Sequence, residues 1–367
     1  MDLLTLALFA LGLAILVAGA EMLVRGASRL ATAIGISPVV VGLTIVAFGT
    51  SAPELAVSIQ SAATGNADLA IGNVVGSNIF NVLFILGISA LPGTLLVAQR
   101  LVRLDVPLMI ALSILVLVLA LDGGLGKLDG ALLFSVAIVY TVWTIRSSRR
   151  ETADIRAEYS AEFGPSAAST RSGWQFNVIF ILIGLVLLVV GSNWLVNGAV
   201  EIASALGAPQ LIVGLTIIAA GTSLPEVATS LTAAIRGERD IAVGNVVGSN
   251  IFNIISVLGL AALVSPSGIQ AAASAVYFDI PVMIVTAVAC LPIFFTGYSI
   301  ARWEGALFLA FYAAYVVYLV LNATSHAALG AFSAAMLGFA APLTILTLIV
   351  VVTRDFRSRR RTKGSLV

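Results

Sequence analysis

Two glutamates, Glu54 and Glu226, stand in otherwise apolar stretches of this chain, and each closes a Gly-Thr-Ser-X-Pro-Glu turn. Gly49–Glu54 reads GTSAPE and Gly221–Glu226 reads GTSLPE. A carboxylate at membrane depth is costly and marks a functional position by default. With no Lys or Arg inside the predicted spans, such a group must hold a cation or take up a proton. The prolines matter as much as the acids. Pro53 and Pro225 lack an amide hydrogen and crowd the carbonyl four residues back, at Gly49 and Gly221, so each interrupts a helix. In lipid the freed carbonyls find partners only in protein, water or an ion. Thr50, Ser51, Thr222 and Ser223 add hydroxyl oxygens in the same turns. The assembled shell is carboxylate, carbonyl and hydroxyl. Hard cations such as Ca²⁺ and Na⁺ want that shell, whereas softer metals prefer His or Cys. Two carboxylates carry at most two negative charges, which one Ca²⁺, two Na⁺ or two H⁺ neutralise. Ions that share the same oxygens compete, and that competition is the physical basis of exchange.

A second motif accompanies the first. Gly72–Asn81 and Gly244–Asn253 both read GNVVGSNIFN, and both motifs repeat at an offset of 172 residues. Gly72 with Gly76, and Gly244 with Gly248, are small-xxx-small pairs that let helices approach closely, and packing alone accounts for them. The amides ask for more. Asn73, Asn78 and Asn81 recur as Asn245, Asn250 and Asn253, and at this depth each needs hydrogen-bond partners or an aqueous cavity. Ser77 and Asn81 are four residues apart and share one helix face, as do Ser249 and Asn253. That face is expected to look at the glutamates.

The elements that carry these residues follow from composition. The chain has 367 residues, 60% hydrophobic and 10% charged, against about 25% charged in a soluble domain. Apolar runs long enough to cross a roughly 30 Å hydrocarbon core recur throughout, and the alternation of a membrane β-barrel is absent. The net charge of +1 gives no sign of a nucleic-acid partner. A single cysteine, Cys290, excludes an internal disulfide and a cysteine metal cluster. Spans are predicted near 3–24, 37–64, 69–91, 104–122, 128–146, 175–196, 209–235, 241–264, 276–296, 303–322 and 327–352. The first lacks a basic leader and reads as a span, not a cleaved signal. Eleven spans place 18 of the 19 Lys and Arg residues on one side and Lys127 alone on the other. The rich side is then cytoplasmic, with the N-terminus outside and the C-terminus inside.

Five spans per repeat flip the second copy. The predicted fold class is an all-α integral membrane protein: an inverted repeat of two five-helix units, ten core spans, plus an eleventh at the C-terminus. The units are 1–146 and 175–322, joined by a polar linker at 147–174 and followed by an extra span and basic tail at 323–367. The linker is shorter than the about 50 residues of a folded domain. Later landmarks also match: Asp105-Val106-Pro107 with Asp279-Ile280-Pro281, and Asp129-Gly130 with Glu304-Gly305. Asp68 and Asp240 begin the third and eighth spans. Asp105, Asp279, Asp129 and Glu304 lie near span ends, where polar groups are tolerated. Glu21, near the cytoplasmic end of the first span, is a candidate for lining an ion access path.

The paired motifs resemble the α-repeats of the calcium/cation antiporter superfamily, and the likeness is to the compact prokaryotic sodium/calcium exchangers. It covers spans one to ten. The resemblance implies Ca²⁺ moving against Na⁺ by alternating access, with two spans sliding past a rigid core. Carried onto matching positions, it implies a central Ca²⁺ site of Glu54, Glu226, Thr50 and Thr222. It implies flanking Na⁺ sites of Ala47, Ser51 and Ser77, and of Ala219, Ser223 and Ser249, the alanines acting through their carbonyls. Asn81 and Asn253 would face the middle. Some relatives carry Asp at one of these two positions, and potassium-dependent members depend on it. Asn at both places in this chain argues against potassium coupling. No cofactor is implied, the partners are the transported ions and the lipid bilayer, and the setting is the cell (inner) membrane. The chain lacks the long insert that holds regulatory calcium-binding domains in animal exchangers.

Three rivals remain. Proton/calcium exchange would use the same glutamates. A passive cation channel would use the same oxygen-lined path without a counter-ion. An intramembrane enzyme has the least support: there is no HExxH motif, the single histidine, His326, falls in a predicted external loop, and Ser51 and Ser223 have no basic partner in the spans. No catalytic residue is assigned.

Overall fold

A computed structural model of the chain describes residues 3–64, 68–148, 174–206 and 219–364. Among them, nine helices are long and apolar enough to cross a membrane, or ten if one bent pair is a single span. The protein is a multi-pass integral membrane protein. Most of the predicted linker, residues 209–218 of the span predicted at 209–235, and the side chains of Asp68, Trp174 and the basic tail lie outside the described residues.

The first helix, α1 (Leu3–Ile34), and its later counterpart α7 (Trp174–Ala205) each run for 32 residues. At 1.5 Å per residue that is about 48 Å, longer than the hydrocarbon core. The predicted ends at residues 24 and 196 were therefore too early. Arg25 and Arg29 mark a membrane boundary, but Arg does not break a helix, and both lie inside α1. The two helices pack through glycines spaced by seven: Gly12, Gly19 and Gly26 on one, Gly184, Gly191 and Gly198 on the other. A Cβ on Gly19 would stand 2.8 Å from the Gly184 carbonyl oxygen, and one on Gly191 would stand 2.6 Å from the Leu16 amide. Partner numbers fall as residue numbers rise, so the helices are antiparallel with backbones in contact.

The next span is broken. α2 (Pro38–Thr50) and α3 (Ala52–Ala63) meet at Ser51 with a bend of 46°, as the Pro53 turn predicts. In the later copy, α8 (Ala219–Gly221) and α9 (Leu224–Ile235) flank Ser223 in the same way. α4 (Leu69–Ala90) and α10 (Arg239–Val264) carry the Asn-rich motifs. Each turns π-helical at the last Asn, over Asn81–Leu86 and Asn253–Leu258. α5 (Leu101–Ala120), α6 (Lys127–Ser148), α11 (Ala275–Phe295) and α12 (Arg302–Ala323) surround them. α13 (Leu329–Thr353) lies at the edge, with Leu337 75% and Phe339 69% exposed, as a lipid-facing helix would be.

Two short antiparallel ladders depart from a purely helical reading. β1 (Leu95–Leu96) pairs with β4 (Ser299–Ile300), and β2 (Gly124–Leu125) pairs with β3 (Ile269–Gln270). Gly124 permits the second, because a Cβ there would fall 2.2 Å from the Ile269 carbonyl oxygen.

Several acids are placed more deeply than their positions near span ends suggest. Asp105 is fully buried, held by the Tyr140 hydroxyl at 3.1 Å and by Arg100 Nε at 3.4 Å. It closes a π-turn over Leu101–Asp105 that carries it into the bundle. Asp279 accepts the Tyr315 hydroxyl at 3.0 Å in the matching place. Asp129 and Glu304 instead cap backbone amides, of Gly126 at 2.8 Å and Ala301 at 2.7 Å. Glu21 pairs with Arg25 on its own helix and with Arg236 at the end of α9, so it ties α1 to α9.

Candidate cation site

The two Pro-Glu turns are built alike. Ser51 has φ −78° and ψ 9°, and Ser223 has φ −89° and ψ 8°. This non-helical conformation ends one helix and starts the next. Pro53 and Pro225 then fall in the first turn of α3 and α9, where a missing amide hydrogen costs nothing. Glu54 and Glu226 occupy the same first turns, at the positive end of the helix dipole. Both have no solvent exposure.

The turns cross. Ser51 Oγ donates to Glu226 Oε1 at 3.0 Å, and Ser223 Oγ donates to Glu54 Oε1 at 2.7 Å. Each serine sits three residues before its own glutamate, so this exchange is possible only where the two breaks abut. The carboxylates are thereby brought together in the interior. Ser77, from α4, joins through the Ser223 hydroxyl at 3.2 Å.

A second set of crossed bonds positions the threonines. Thr50 Oγ1 donates to Asn245 Oδ1 at 3.2 Å, and Thr222 Oγ1 donates to Asn73 Oδ1 at 3.5 Å. Those amides are fixed from behind, because Asn73 Nδ2 donates to Ser58 Oγ and Asn245 Nδ2 to Ser230 Oγ, both at 2.9 Å. Sequence reasoning gave Asn73, Asn245, Ser58 and Ser230 no place in the site. Their shared offset of 172 residues was the available signal.

The remaining candidates are placed as follows. Ala47 is buried, and its carbonyl accepts the Ser51 amide at 3.1 Å and the Thr50 hydroxyl at 3.3 Å. Ala219 opens α8, and its side chain lies outside the described residues. Ser249, Asn81 and Asn253 have no exposure. Glu54 Oε2, Glu226 Oε2, Asn81 Oδ1, Asn253 Oδ1 and Ser249 Oγ are buried and have no hydrogen-bond partner. Four of these five atoms can only accept. Buried acceptors without donors are rare, and each calls for an ion, a water or another explanation. Among the described residues no cluster of three or more His, Cys, Asp or Glu could hold a metal. Any cation shell here must draw on neutral oxygens beside the two carboxylates.

The family model described as sodium/calcium exchanger protein matches residues 4–146 and 176–321. The sodium/calcium exchanger MaX1 of Methanosarcina acetivorans is 31% identical over 297 residues, which is 73% of this chain and 84% of that protein. The inner membrane protein YrbG of Escherichia coli strain K12 is 36% identical over 222 residues, covering 59% of this chain and 67% of its own length. A solved structure of the sodium-calcium exchanger NCX_Mj superposes with a TM-score of 0.74 at 30% identity, covering 86% of this chain and 99% of that one. By its family match, its relatives and its fold, the chain belongs to the sodium/calcium exchanger family, a family of membrane transporters.

Proposed function

We propose that this protein is a secondary active antiporter that exchanges Ca²⁺ for Na⁺ by alternating access, binding the ions between Glu54 and Glu226. One observation carries the reading. Two carboxylate oxygens and two amide oxygens, one of each from either half of the chain, are buried without a donor. A dehydrated cation satisfies such a set at once. Thr50 and Thr222 complete the Ca²⁺ shell. Ala47, Ser51 and Ser77 flank it on one side, and Ala219, Ser223 and Ser249 on the other, as Na⁺ positions. The names of MaX1 and NCX_Mj support Na⁺ as the counter-ion.

Proton coupling is the second reading, because the same two carboxylates are chemically able to carry H⁺. The test is Ca²⁺ uptake by purified protein in sealed vesicles, under an imposed Na⁺ gradient and then under a pH gradient without Na⁺. Uptake is expected to follow the Na⁺ gradient alone. Uptake driven only by the pH gradient would reassign the coupling ion, and uptake with no counter-ion would make the protein a channel.

We further propose that residues 1–146 and 175–322 are inverted repeats, with α13 an addition. The support is twofold. The crossed bonds exchange partners one for one between the halves. Strands that pair must also lie on one face, so an even number of crossings separates them. The predicted spans put spans four to nine between β1 and β4, and spans five to eight between β2 and β3, an even number in both cases. In intact cells lacking Cys290, a Lys127→Cys variant is expected to react with an impermeant maleimide from outside, and an Arg302→Cys variant only after permeabilisation. The reverse pattern would overturn the orientation.

A further inference from the structure

We propose that Asn78 and Asn250 are positioning residues that aim the carbonyl oxygens of Asn253 and Asn81 at the transported ion. The inference rests on the ion site proposed above, and adds to it two residues that do not face the ion. Asn81 Nδ2 donates to Asn250 Oδ1 at 3.0 Å, and Asn253 Nδ2 donates to Asn78 Oδ1 at 3.1 Å. Each bond runs between α4 and α10, from one half of the chain to the other. The two anchors are themselves fixed at their nitrogen ends. Asn78 Nδ2 donates to the Asn250 carbonyl at 3.2 Å and contacts Met283 Sδ at 3.6 Å. Asn250 Nδ2 donates to the Asn78 carbonyl and contacts Met109 Sδ, both at 3.4 Å.

The consequence follows from the shape of an amide. It is planar, with a donor NH₂ on one side and an acceptor oxygen on the other. Pinning Nδ2 of Asn81 fixes where its Oδ1 points. That Oδ1, like the Oδ1 of Asn253, is the buried oxygen left without a donor. A half-turn of either amide would set its oxygen against the anchor's oxygen, two acceptors face to face. It would also present NH₂, the positive end of the dipole, to a cation. The anchors forbid that half-turn. The geometry occurs twice, once in each copy of the repeated motif, with a methionine sulfur beside each anchor. The π-helical turns begin at Asn81 and Asn253, and such turns concentrate at functional positions.

A merely structural reading is available: Asn78 and Asn250 could serve as polar glue between α4 and α10. The two readings separate in a double-mutant cycle. Ca²⁺ dissociation constants are to be measured by calorimetry on the purified full-length protein, for wild type, Asn81→Ala, Asn250→Ala and the double variant. Loss of an outer partner to a metal ligand weakens binding at least about tenfold, and that is the expected cost of either single substitution. The double variant should bind no more weakly than Asn81→Ala, because no amide remains to be aimed. Wild-type affinity in Asn250→Ala would overturn the proposal. So would a double variant weakened by the product of the single effects, about a hundredfold, as independent sites would give. Should Asn250→Ala not accumulate as folded protein, the related cycle of Asn78→Ala and Asn253→Ala decides on the same criteria. Glu54→Gln, measured alongside, separates the two layers. Undiminished Ca²⁺ binding there removes the ion site itself, whereas its loss together with an additive cycle removes only the positioning role.

Discussion

Glu54→Gln, and equally Glu226→Gln, is expected to reduce Na⁺-driven Ca²⁺ uptake to background while leaving the protein folded. The size of the effect follows from charge. A unit charge pair at about 4 Å in a medium of effective dielectric near 20 is worth about 4 kcal/mol. That corresponds to about three decades in affinity, and the divalent ion loses half of its neutralising charge. The fold should tolerate the change for three reasons. Glutamine is nearly isosteric. It keeps an oxygen for the serine hydroxyl that each glutamate now accepts at 2.7 or 3.0 Å. It also removes a buried charge that touches no Lys or Arg among the described residues, so its desolvation cost disappears. Two measurements check this together: uptake in vesicles, and thermal unfolding with and without Ca²⁺. Wild type should gain thermal stability from Ca²⁺ by mass action, and the glutamine variants should not. Full transport by either variant would remove that residue from the site.

Gly19→Leu is the other substitution with a large expected effect, and it acts on assembly. The new Cβ would meet the Gly184 oxygen and the Leu188 nitrogen, both at 2.8 Å. Those are backbone atoms in a helix, so they cannot swing aside as a side chain does. Overpacking of this kind costs about 1–3 kcal/mol, and more where nothing yields. The yield of monodisperse protein and its unfolding midpoint should both fall. Gly338→Ala on α13 is the control. No described atom lies within 4 Å of its new Cβ, and helix propensity favours Ala over Gly by about 1 kcal/mol. It should be neutral or slightly stabilising. If Gly19→Leu behaved like Gly338→Ala, the close packing of α1 on α7 would be wrong.

Much of the candidate site was legible because its signals are local or repeated. A proline one residue before a glutamate announces both the helix break and the acid that follows it. The common offset of 172 residues said that the two turns are equivalent, and the crossed Ser51 and Ser223 bonds are what equivalence across an interface looks like. Other features had no local signature. The burial of Asp105 depends on Tyr140, 35 residues away. Two-residue strands form only because distant loops meet. A π-turn adds one residue to a helical turn without a distinctive composition. The ends of α1 and α7 were missed for another reason, since basic residues report where lipid stops and not where hydrogen bonding stops. The seven-residue spacing of Gly12, Gly19 and Gly26 is the sequence signature of the contact between those helices.

The two ladders constrain how such a carrier can move. β1 precedes α5 and β2 follows it, so the ladders fasten opposite ends of the bundle, and each joins a strand from before the 149–173 segment to one from after it. A box clasped at top and bottom has no spine about which to open. Tilting one half against the other would tear both clasps together. The α1–α7 pair holds no strand in either clasp, and its backbone-to-backbone seam joins the two helices closely to each other. That pair stands beside the clasped block and is fastened to it by neither ladder.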